Sequence, residues 1–382
     1  MNVPFRLAFE QRAETPRRLA VMVPLLSVLA AIVAGGVFLL ATGYSPFETY
    51  SNMLSDGFFS STGITDTLGL STVLICTGIA AAFAFQMNLY NIGGEGQLYV
   101  GMIGGAWAGL FFGDRLPGFV MIPVVLLVGA LCGALWIALP AFVRARLGTS
   151  EIVTTLLLTY IGASLVNHFI YRAGSYFRAP STLFPQGRQV PDSAMLSPIG
   201  DTTMYPTFFL VVALAVFLWW VVRRTEFGYR IQVISDSPRA ARYAGISAER
   251  TTVQVMMISG ALAGLGGATL IVGTFGRLDQ GIVLLGYGYA GIVIAALARN
   301  NMSAIIVSGI LFAGLRTGGD TLQISTDTPI HIGVMLQGAI LLFALGGEAF
   351  RRYRVRVVRT QTVTAQGAAT GGARGTAQGA AQ

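Results

Sequence analysis

Ten apolar segments of membrane-spanning length run through this chain and constrain its fold more than any other feature. A hydrocarbon core about 30 Å thick needs roughly 20 apolar residues per helix. The segments are Leu19–Thr42, Thr67–Asn88, Gly93–Phe112, Phe119–Phe142, Ser150–Tyr171, Pro206–Val222, Thr251–Gly273, Ile282–Ala298, Met302–Leu315 and Pro329–Gly346. The ninth is short enough to be a half-helix. We predict an all-α polytopic membrane protein with about ten transmembrane helices.

The arginines indicate the orientation of these segments, because cytoplasmic loops retain positive charge. With the N-terminus inside, 19 of the 25 basic residues face the cytoplasm. The other six, Arg316 among them, fall outside. An even number of spans with both termini cytoplasmic is therefore predicted. The net charge of +8 then follows from topology and does not indicate nucleic-acid binding.

The chain divides into three parts. Residues 1–18 are predicted as a cytoplasmic N-terminal segment, 19–350 as the membrane domain, and 351–382 as a basic and then disordered cytoplasmic tail. An outer loop, 172–205, contains four prolines and should be irregular or only locally helical. Such a loop either receives a partner or is a tolerated insertion.

The inner loop 223–250 carries the capping signals of a short helix. Ser237 suits the N-cap, Pro238 suits the first helical position, and Gly245 can end the helix in a left-handed conformation. Two turns are too few to be stable alone in water. The predicted helix should therefore dock on its own membrane domain or on a partner protein.

Several kinds of chemistry are excluded by the residues present. All 25 basic residues are arginine, and a P-loop needs a lysine, so the chain does not bind ATP by that motif. Cys76 and Cys132 lie inside predicted spans and indicate neither a disulfide framework nor a metal site. The chain has no paired acids, histidine cluster or Ser–His arrangement typical of an intramembrane enzyme. We predict neither catalysis nor a cofactor.

The segment from Asn88 to Gln97 interrupts the apolar pattern with Asn88, Asn91, Glu95 and Gln97. A carboxylate at membrane depth costs about 2.5–3.5 kcal/mol. Glu95 could interact with the dipole at the start of its own helix. Alternatively, the helix is discontinuous and these side chains line a substrate pathway. Both interpretations remain open.

Two further sets of residues allow both a structural and a functional interpretation. At the start of the fifth span, Thr149 or Ser150 is predicted as the N-cap, with Glu151 in the first turn. In the eighth span, Tyr287 and Tyr289 could stack on a ring-shaped ligand. The same tyrosines could also mark the membrane interface.

The two histidines are weak candidates for a site. Asn167 and His168 lie at the outer end of the fifth span, where they could meet a polar substrate or form interfacial hydrogen bonds. His331 lies at the start of the last span. Neither histidine has a chelating neighbour, so no metal site is predicted.

Glycines recur at four-residue spacing within three predicted spans. Small residues at this spacing let membrane helices approach closely. The sets are Gly101, Gly105 and Gly109, then Gly129 and Gly133, then Gly260 and Gly264. We predict that they are primarily packing positions.

Four motifs in this order resemble the permease subunits of bacterial ABC importers, in the branch for simple sugars, nucleosides and branched-chain amino acids. They extend over roughly residues 60–350. The motifs are Asn91-Ile-Gly-Gly-Glu-Gly-Gln97, Gly148-Thr-Ser-Glu-Ile-Val-Thr-Thr155, Asp236-Ser-Pro-Arg-Ala-Ala-Arg-Tyr-Ala-Gly-Ile246 and Gly288-Tyr-Ala-Gly-Ile-Val-Ile-Ala-Ala296.

This resemblance implies a type II importer-like fold whose helix Pro238–Ala244 couples transport to a cytoplasmic ATPase subunit. That separate subunit would bind ATP and magnesium. Arg239 departs from the acidic residue usual at its position. The implied contact residues are Ser237, Pro238, Arg239, Ala240, Ala241, Arg242 and Gly245.

Within the branch, the motifs look most like permeases for nucleoside uptake across the bacterial inner membrane. The resemblance then implies a second, shorter permease, a double-headed ATPase and a lipid-anchored substrate-binding protein. Nucleosides are the first choice of substrate and simple sugars the second. A stand-alone secondary transporter, with Glu95 and the histidines as its ionisable groups, is the rival hypothesis.

Overall fold

The computed structural model of this protein describes residues 5–11, 17–113, 115–180, 182, 184–326, 335–336, 338–339, 342–343, 346–347 and 353–359. The described chain is mostly helical. Its helices are α1 (Arg17–Ala41), α2 (Pro46–Leu54), α3 (Ser61–Phe85), α4 (Gly94–Phe112), α5 (Gly118–Leu147), α6 (Glu151–Tyr171), α7 (Thr207–Arg224), α8 (Glu226–Asp236), α9 (Pro238–Tyr243), α10 (Ala248–Leu270), α11 (Tyr287–Leu297) and α12 (Met302–Thr326). Its strands are β1 (Phe5–Gln11) and β2 (Tyr353–Arg359).

Six helical segments among the described residues are long and apolar enough to cross a membrane: α3, α5, α6, α7, α10 with the π-turn that follows it, and α12. Apolar parts of α1 and α11 are shorter. The third predicted span corresponds to α4, a 19-residue helix whose glycines, Glu95 and Gln97 make it less apolar. The tenth predicted span falls largely outside the described residues.

The ninth predicted span is not a half-helix. α12 runs for 25 residues, whereas α11, in the eighth predicted span, has only 11. Arg316 was expected in an outer loop but lies inside α12. A span predicted from hydropathy ends at an arginine, because hydropathy takes no account of the contacts that the charged side chain makes in the folded protein.

The centre of the domain is a close contact of α4, α5 and α10 through their glycines. A Cβ added to Gly133 of α5 would lie 2.8 Å from the Cα of Gly264 in α10, and one added to Gly101 of α4 would collide with the Gly264 carbonyl group. Side chains of any size would hold these backbones apart. The predicted packing role of the glycines is confirmed for this seam.

α2 is a helix where only an outer connection was predicted. The Ser45 side chain caps it by accepting a hydrogen bond from the Glu48 N–H group, 3.4 Å away, and Pro46 takes the first position. A π-turn, Ser55–Phe59, follows and brings Gly57 against the Gly314 carbonyl group of α12. The Ser-Pro-Phe-Glu sequence was the available signal.

The outer loop is irregular, as predicted. Within its described residues it contains a 3₁₀ turn, Asp192–Ala194. Backbone hydrogen bonds fasten it to the segment after α10, from Leu196 N–H to the Val272 carbonyl oxygen (2.6 Å) and from Val190 N–H to that of Gly276 (2.8 Å). The outer loop therefore covers the end of α10.

The prediction of an all-α chain did not include β1 and β2. These strands form an antiparallel pair in which Phe5 is opposite Arg359 and Gln11 is opposite Tyr353. The alternating Val-Arg-Val sequence of β2 is typical of a strand. The pair joins the segment before α1 to a segment near the C-terminus.

Candidate functional site

Glu95 lies in the first turn of α4 but caps a different helix, α11. Its side chain is 1% exposed. One carboxylate oxygen accepts hydrogen bonds from the N–H groups of Gly288 and Tyr289, the latter at 3.2 Å. The other accepts from the Tyr99 hydroxyl at 2.7 Å. The N-cap of α11, Gly286, has no side chain, so a carboxylate from elsewhere satisfies the free N–H groups and the helix dipole.

Arg316 fixes the same segment from its other side. Its Nη1 donates to the carbonyl oxygen of Leu285 at 2.9 Å, and its guanidinium lies 5.2 Å from the centre of the Tyr287 ring. Asp320, one turn further along α12, lies 3.9 Å from its Nε atom. Sequence reasoning did not identify Arg316 as a site residue. The available signal was a single arginine in an apolar run with an acid four residues later.

Asn91 and Gln97 form a buried amide pair. Asn91 Nδ2 donates to Gln97 Oε1 and Gln97 Nε2 donates to Asn91 Oδ1, both at 2.9 Å. Asn91 also donates to the Ser259 hydroxyl of α10 and accepts from the Gly93 N–H group. Both side chains are buried and their amide groups are hydrogen-bonded to the protein, which gives them a structural role in the turn before α4.

Asn88 connects this turn to the inner loop. It has a left-handed backbone, with φ of +54°. Its Nδ2 donates to the hydroxyl of Ser235 at 2.8 Å and to the Ser235 carbonyl oxygen at 3.3 Å. Ser235 belongs to α8 and precedes the short helix α9 by three residues. The Asn88–Gln97 motif is therefore bonded directly to the inner loop.

Glu151 anchors the turn a second time. Its carboxylate accepts from the N–H group of Tyr90 at 3.1 Å and pairs with Arg144 Nε at 3.1 Å. Ser150 occupies the predicted N-cap position, but its side chain makes no capping hydrogen bond. Glu151 is thus a bridge between two turns.

α9 has the caps that the sequence predicts. The Ser237 hydroxyl accepts from the N–H group of Ala240 at 3.2 Å, Pro238 is the first residue, and Gly245 has φ of +71°. The prediction did not include α8, an 11-residue helix before Ser237 that buries Ile231 and Ile234. The inner loop is therefore two consecutive helices lying on the membrane domain.

Only part of the predicted contact set of α9 faces outward. Ala241 is fully buried against its own chain and cannot offer its side chain to another subunit. Four of the side chains that remain outside form what we call the α9 face. Its members are Arg239, Ala240, Arg242 and Tyr243, the last 94% exposed.

Tyr287 and Tyr289 point in different directions, as residues two apart on a helix must. Tyr287 is buried and lines a 350 Å³ cavity with Tyr205 and Phe275. Tyr289 is 39% exposed and lies beside Thr159 and Tyr160 of α6. Of the six residues predicted for a substrate pathway, Tyr289 combines an aromatic ring with an exposed position near polar neighbours.

The exposed face of α6 continues from Tyr289 as a stripe of polar and aromatic side chains interspersed with the exposed aliphatic residues Val153, Leu157 and Ile161. Tyr160, Ser164, His168 and Tyr171 follow one another at three- or four-residue spacing, and all are exposed. By contrast, before its two terminal arginines α7 exposes large side chains that are apolar or aromatic, such as Phe209, Leu210 and Phe217. We call the first set the α6 stripe. Its polarity differs from that of a surface built only for lipid.

Long apolar helices around buried polar bonds, with a capped amphipathic segment beside them, are features of membrane transport subunits. The chain belongs to the family described as the permease component of branched-chain amino acid transport systems, which matches residues 63–345.

Relatives are similar over most of their length. The glucose ABC transporter permease of Haloferax volcanii is 32% identical, over 94% of this chain and 95% of its own. The nucleoside ABC transporter permease of Lactococcus lactis is 30% identical, over 85% and 90%. The guanosine ABC transporter permease of Bacillus subtilis is 29% identical, over 86% and 94%.

The chain is thus a multi-pass permease subunit of an ABC transporter in the inner membrane. Its family implies ATPase and substrate-binding partners.

Proposed function

We propose that this permease moves nucleosides into the cell. The observation that supports this choice is similarity to a guanosine and a nucleoside permease, over 94% and 90% of those relatives. The aromatic rings of Tyr289 and Tyr160 agree with it, because aromatic faces stack on any nucleobase. A simple sugar is the second candidate, favoured by the 32% identity to a glucose permease.

The substrate pathway runs along the α6 stripe and past Tyr289. None of the other described residues covers this face of α6 where Tyr160, Ser164 and His168 are exposed. A second permease, shorter than this one, would enclose it and exclude lipid, so that the pathway lies between the two subunits.

The α9 face is the contact with the ATPase subunit, which binds the ATP and magnesium. Both chain ends lie in the cytoplasm. The pairing of β1 with β2 supports this arrangement, because it joins segments from the two ends of the membrane domain. The concentration of arginine in residues 223–250 supports a position of the inner loop on the same side. A lipid-anchored binding protein delivers substrate to the opposite face.

Contacts connect the α9 face to the pathway. α9 adjoins α8, Ser235 of α8 is bonded to Asn88, and the turn after Asn88 leads to Glu95. Glu95 in turn holds the N-terminus of α11, where Tyr289 lies. An ATP-driven movement of α9 can therefore be transmitted to Tyr289 through these hydrogen bonds and the chain segments between them.

Uptake by the complete importer in sealed vesicles tests the substrate. We expect unlabelled nucleosides to compete with a labelled nucleoside and glucose not to compete. Tyr289→Ala should lower nucleoside uptake roughly tenfold, since stacking on an aromatic ring contributes about 1–3 kcal/mol per base. Tyr289→Phe should retain most uptake.

Phe209→Ala is the matched control, because Phe209 is an exposed aromatic residue on α7, away from the stripe. It should leave uptake unchanged. Competition by glucose but not by nucleosides would show that the substrate is a sugar. Equal loss in Phe209→Ala and Tyr289→Ala would remove Tyr289 from the pathway.

A further inference from the structure

A cavity of 670 Å³ lies beside the inner loop, where α7 passes into α8. Its walls also include the end of α3 and the turn between α11 and α12. Arg224 is the last residue of α7 and Met302 is the first residue of α12. The cavity is thus at the level where membrane helices end.

The charged groups of the cavity are mainly positive. Arg223, Arg224 and Arg299 line it, and Asp236 is the only carboxylate among the lining residues. Across the described part of the chain, neither Arg223 nor Arg224 has a carboxylate within ion-pair distance. Both are exposed. Two guanidinium groups are therefore available to an anion.

The other lining groups suit a phosphate with a polar headgroup on one side and an apolar chain on the other. A guanidinium binds phosphate through two parallel hydrogen bonds. Gln86 and Asn301 add uncharged polar groups to the wall, and Val222 and Met302 add apolar ones. A small inorganic anion would leave the apolar part of the wall uncovered.

The position of the cavity identifies the membrane as the source of the phosphate. α7 leads into it, and most of the surface of α7 is not covered by the other described residues, as Phe217 (55% exposed) and Trp220 (49% exposed) show. Trp219 lies at this end of α7, with the Arg223 guanidinium 5.2 Å from the centre of its ring. Tryptophan and arginine together mark the cytoplasmic lipid interface.

We propose that this cavity binds the phosphate of an anionic phospholipid through Arg223 and Arg224. Basic pockets at the cytoplasmic ends of membrane helices are suited to such headgroups. α8 forms one wall of the cavity and is separated from α9 only by Ser237, while Ser235 of α8 is hydrogen-bonded to Asn88. A bound lipid therefore steadies the helices that carry the ATPase contact.

Lipid binding by the purified importer tests this site without reference to the transported substrate. The complete importer is placed in vesicles of phosphatidylcholine with a minor fraction of phosphatidylglycerol, and bound lipid is quantified by native mass spectrometry. The double variant Arg223→Gln, Arg224→Gln should bind phosphatidylglycerol roughly 30-fold more weakly, which is the combined effect expected from the loss of two arginines near an anionic surface. The variant with both Arg223→Lys and Arg224→Lys should bind phosphatidylglycerol with an affinity between that of the glutamine double variant and that of the parent.

Arg250→Gln is the control, since Arg250 is an exposed arginine of the inner loop that does not line the cavity. It should bind lipid like the parent, and all variants should unfold at the same temperature. Unchanged phosphatidylglycerol binding in the glutamine double variant would overturn the proposal. Displacement of the lipid by inorganic phosphate alone would also overturn it. Lipid binding that occurs only when the ATPase is attached would overturn it as well.

Discussion

Replacing Glu95 with alanine should destabilise the permease more than any other single substitution in the site and should abolish uptake. The Glu95 carboxylate satisfies three donors: the N–H groups of Gly288 and Tyr289 and the hydroxyl group of Tyr99. A buried donor left without a partner costs about 1–3 kcal/mol, so the loss of three should lower the free energy of unfolding by roughly 3 kcal/mol or more. α11 would also lose the groups that position Tyr289.

Thermal unfolding of the purified protein measures this effect, with substrate uptake as the functional readout. Glu95→Gln should have a smaller effect, because its single carbonyl oxygen can still accept some of these bonds. Glu249→Ala is the control, since Glu249 is 63% exposed and pairs with Arg146 on the surface. It should change stability by less than about 1 kcal/mol. An alanine variant at position 95 that unfolds and transports like the parent would mean that Glu95 does not hold α11.

The second large effect is expected at Ala240, on the α9 face. Arginine at this position should prevent the ATPase from seating and should reduce both complex formation and substrate-stimulated ATP hydrolysis at least about tenfold, since the long side chain would hold the two surfaces apart and a charge buried at the contact without a partner is costly. The exposed position of Ala240 means that folding and membrane insertion should not change. Co-purification of the ATPase with the permease measures the contact.

Two further variants distinguish loss of the ATPase contact from a packing defect within the permease. Ala240→Ser keeps the residue small and should behave like the parent. Ala241→Arg places a charge where the chain itself packs, so it should lower stability before any partner is added. An Ala240→Arg importer that assembles and hydrolyses ATP normally would exclude α9 as the ATPase contact.

Much of the helical framework follows from the order of residues. The segment Gly93–Phe112 predicts α4 to within one residue at its start, and Ser150–Tyr171 does the same for α6. The caps of α9 follow directly from Ser237, Pro238 and Gly245, because capping depends on a few adjacent residues. In these segments the chemistry of neighbouring residues was sufficient to predict the helix and its ends.

The site itself depends on contacts between distant residues, which the sequence does not show. The carboxylate of Glu95 meets the backbone of Gly288, 193 residues away. Sequence reasoning could propose only that Glu95 caps its own helix or lines a pathway. Arg316 ended the predicted ninth span because its partners, the Leu285 carbonyl group and the Tyr287 ring, come from another helix.

Helix geometry alone could have corrected two other predictions, in which neighbouring residues were given the same role. Residues two apart on a helix lie on different faces, so Tyr287 and Tyr289 could not both face one surface. Ala240 and Ala241 are likewise adjacent, and only one of them can point outward. The α6 stripe required the structure, because the sequence does not show which face of α6 its neighbours leave uncovered.

The central claim is that this chain is a permease moved by an ATPase and not a transporter driven by an ion gradient. Nucleoside uptake into sealed vesicles, with the ATPase subunit either included or omitted, tests it most directly. We predict uptake only when the ATPase and ATP are both present, whatever proton or sodium gradient is imposed. Uptake driven by such a gradient in vesicles that lack the ATPase would contradict the claim.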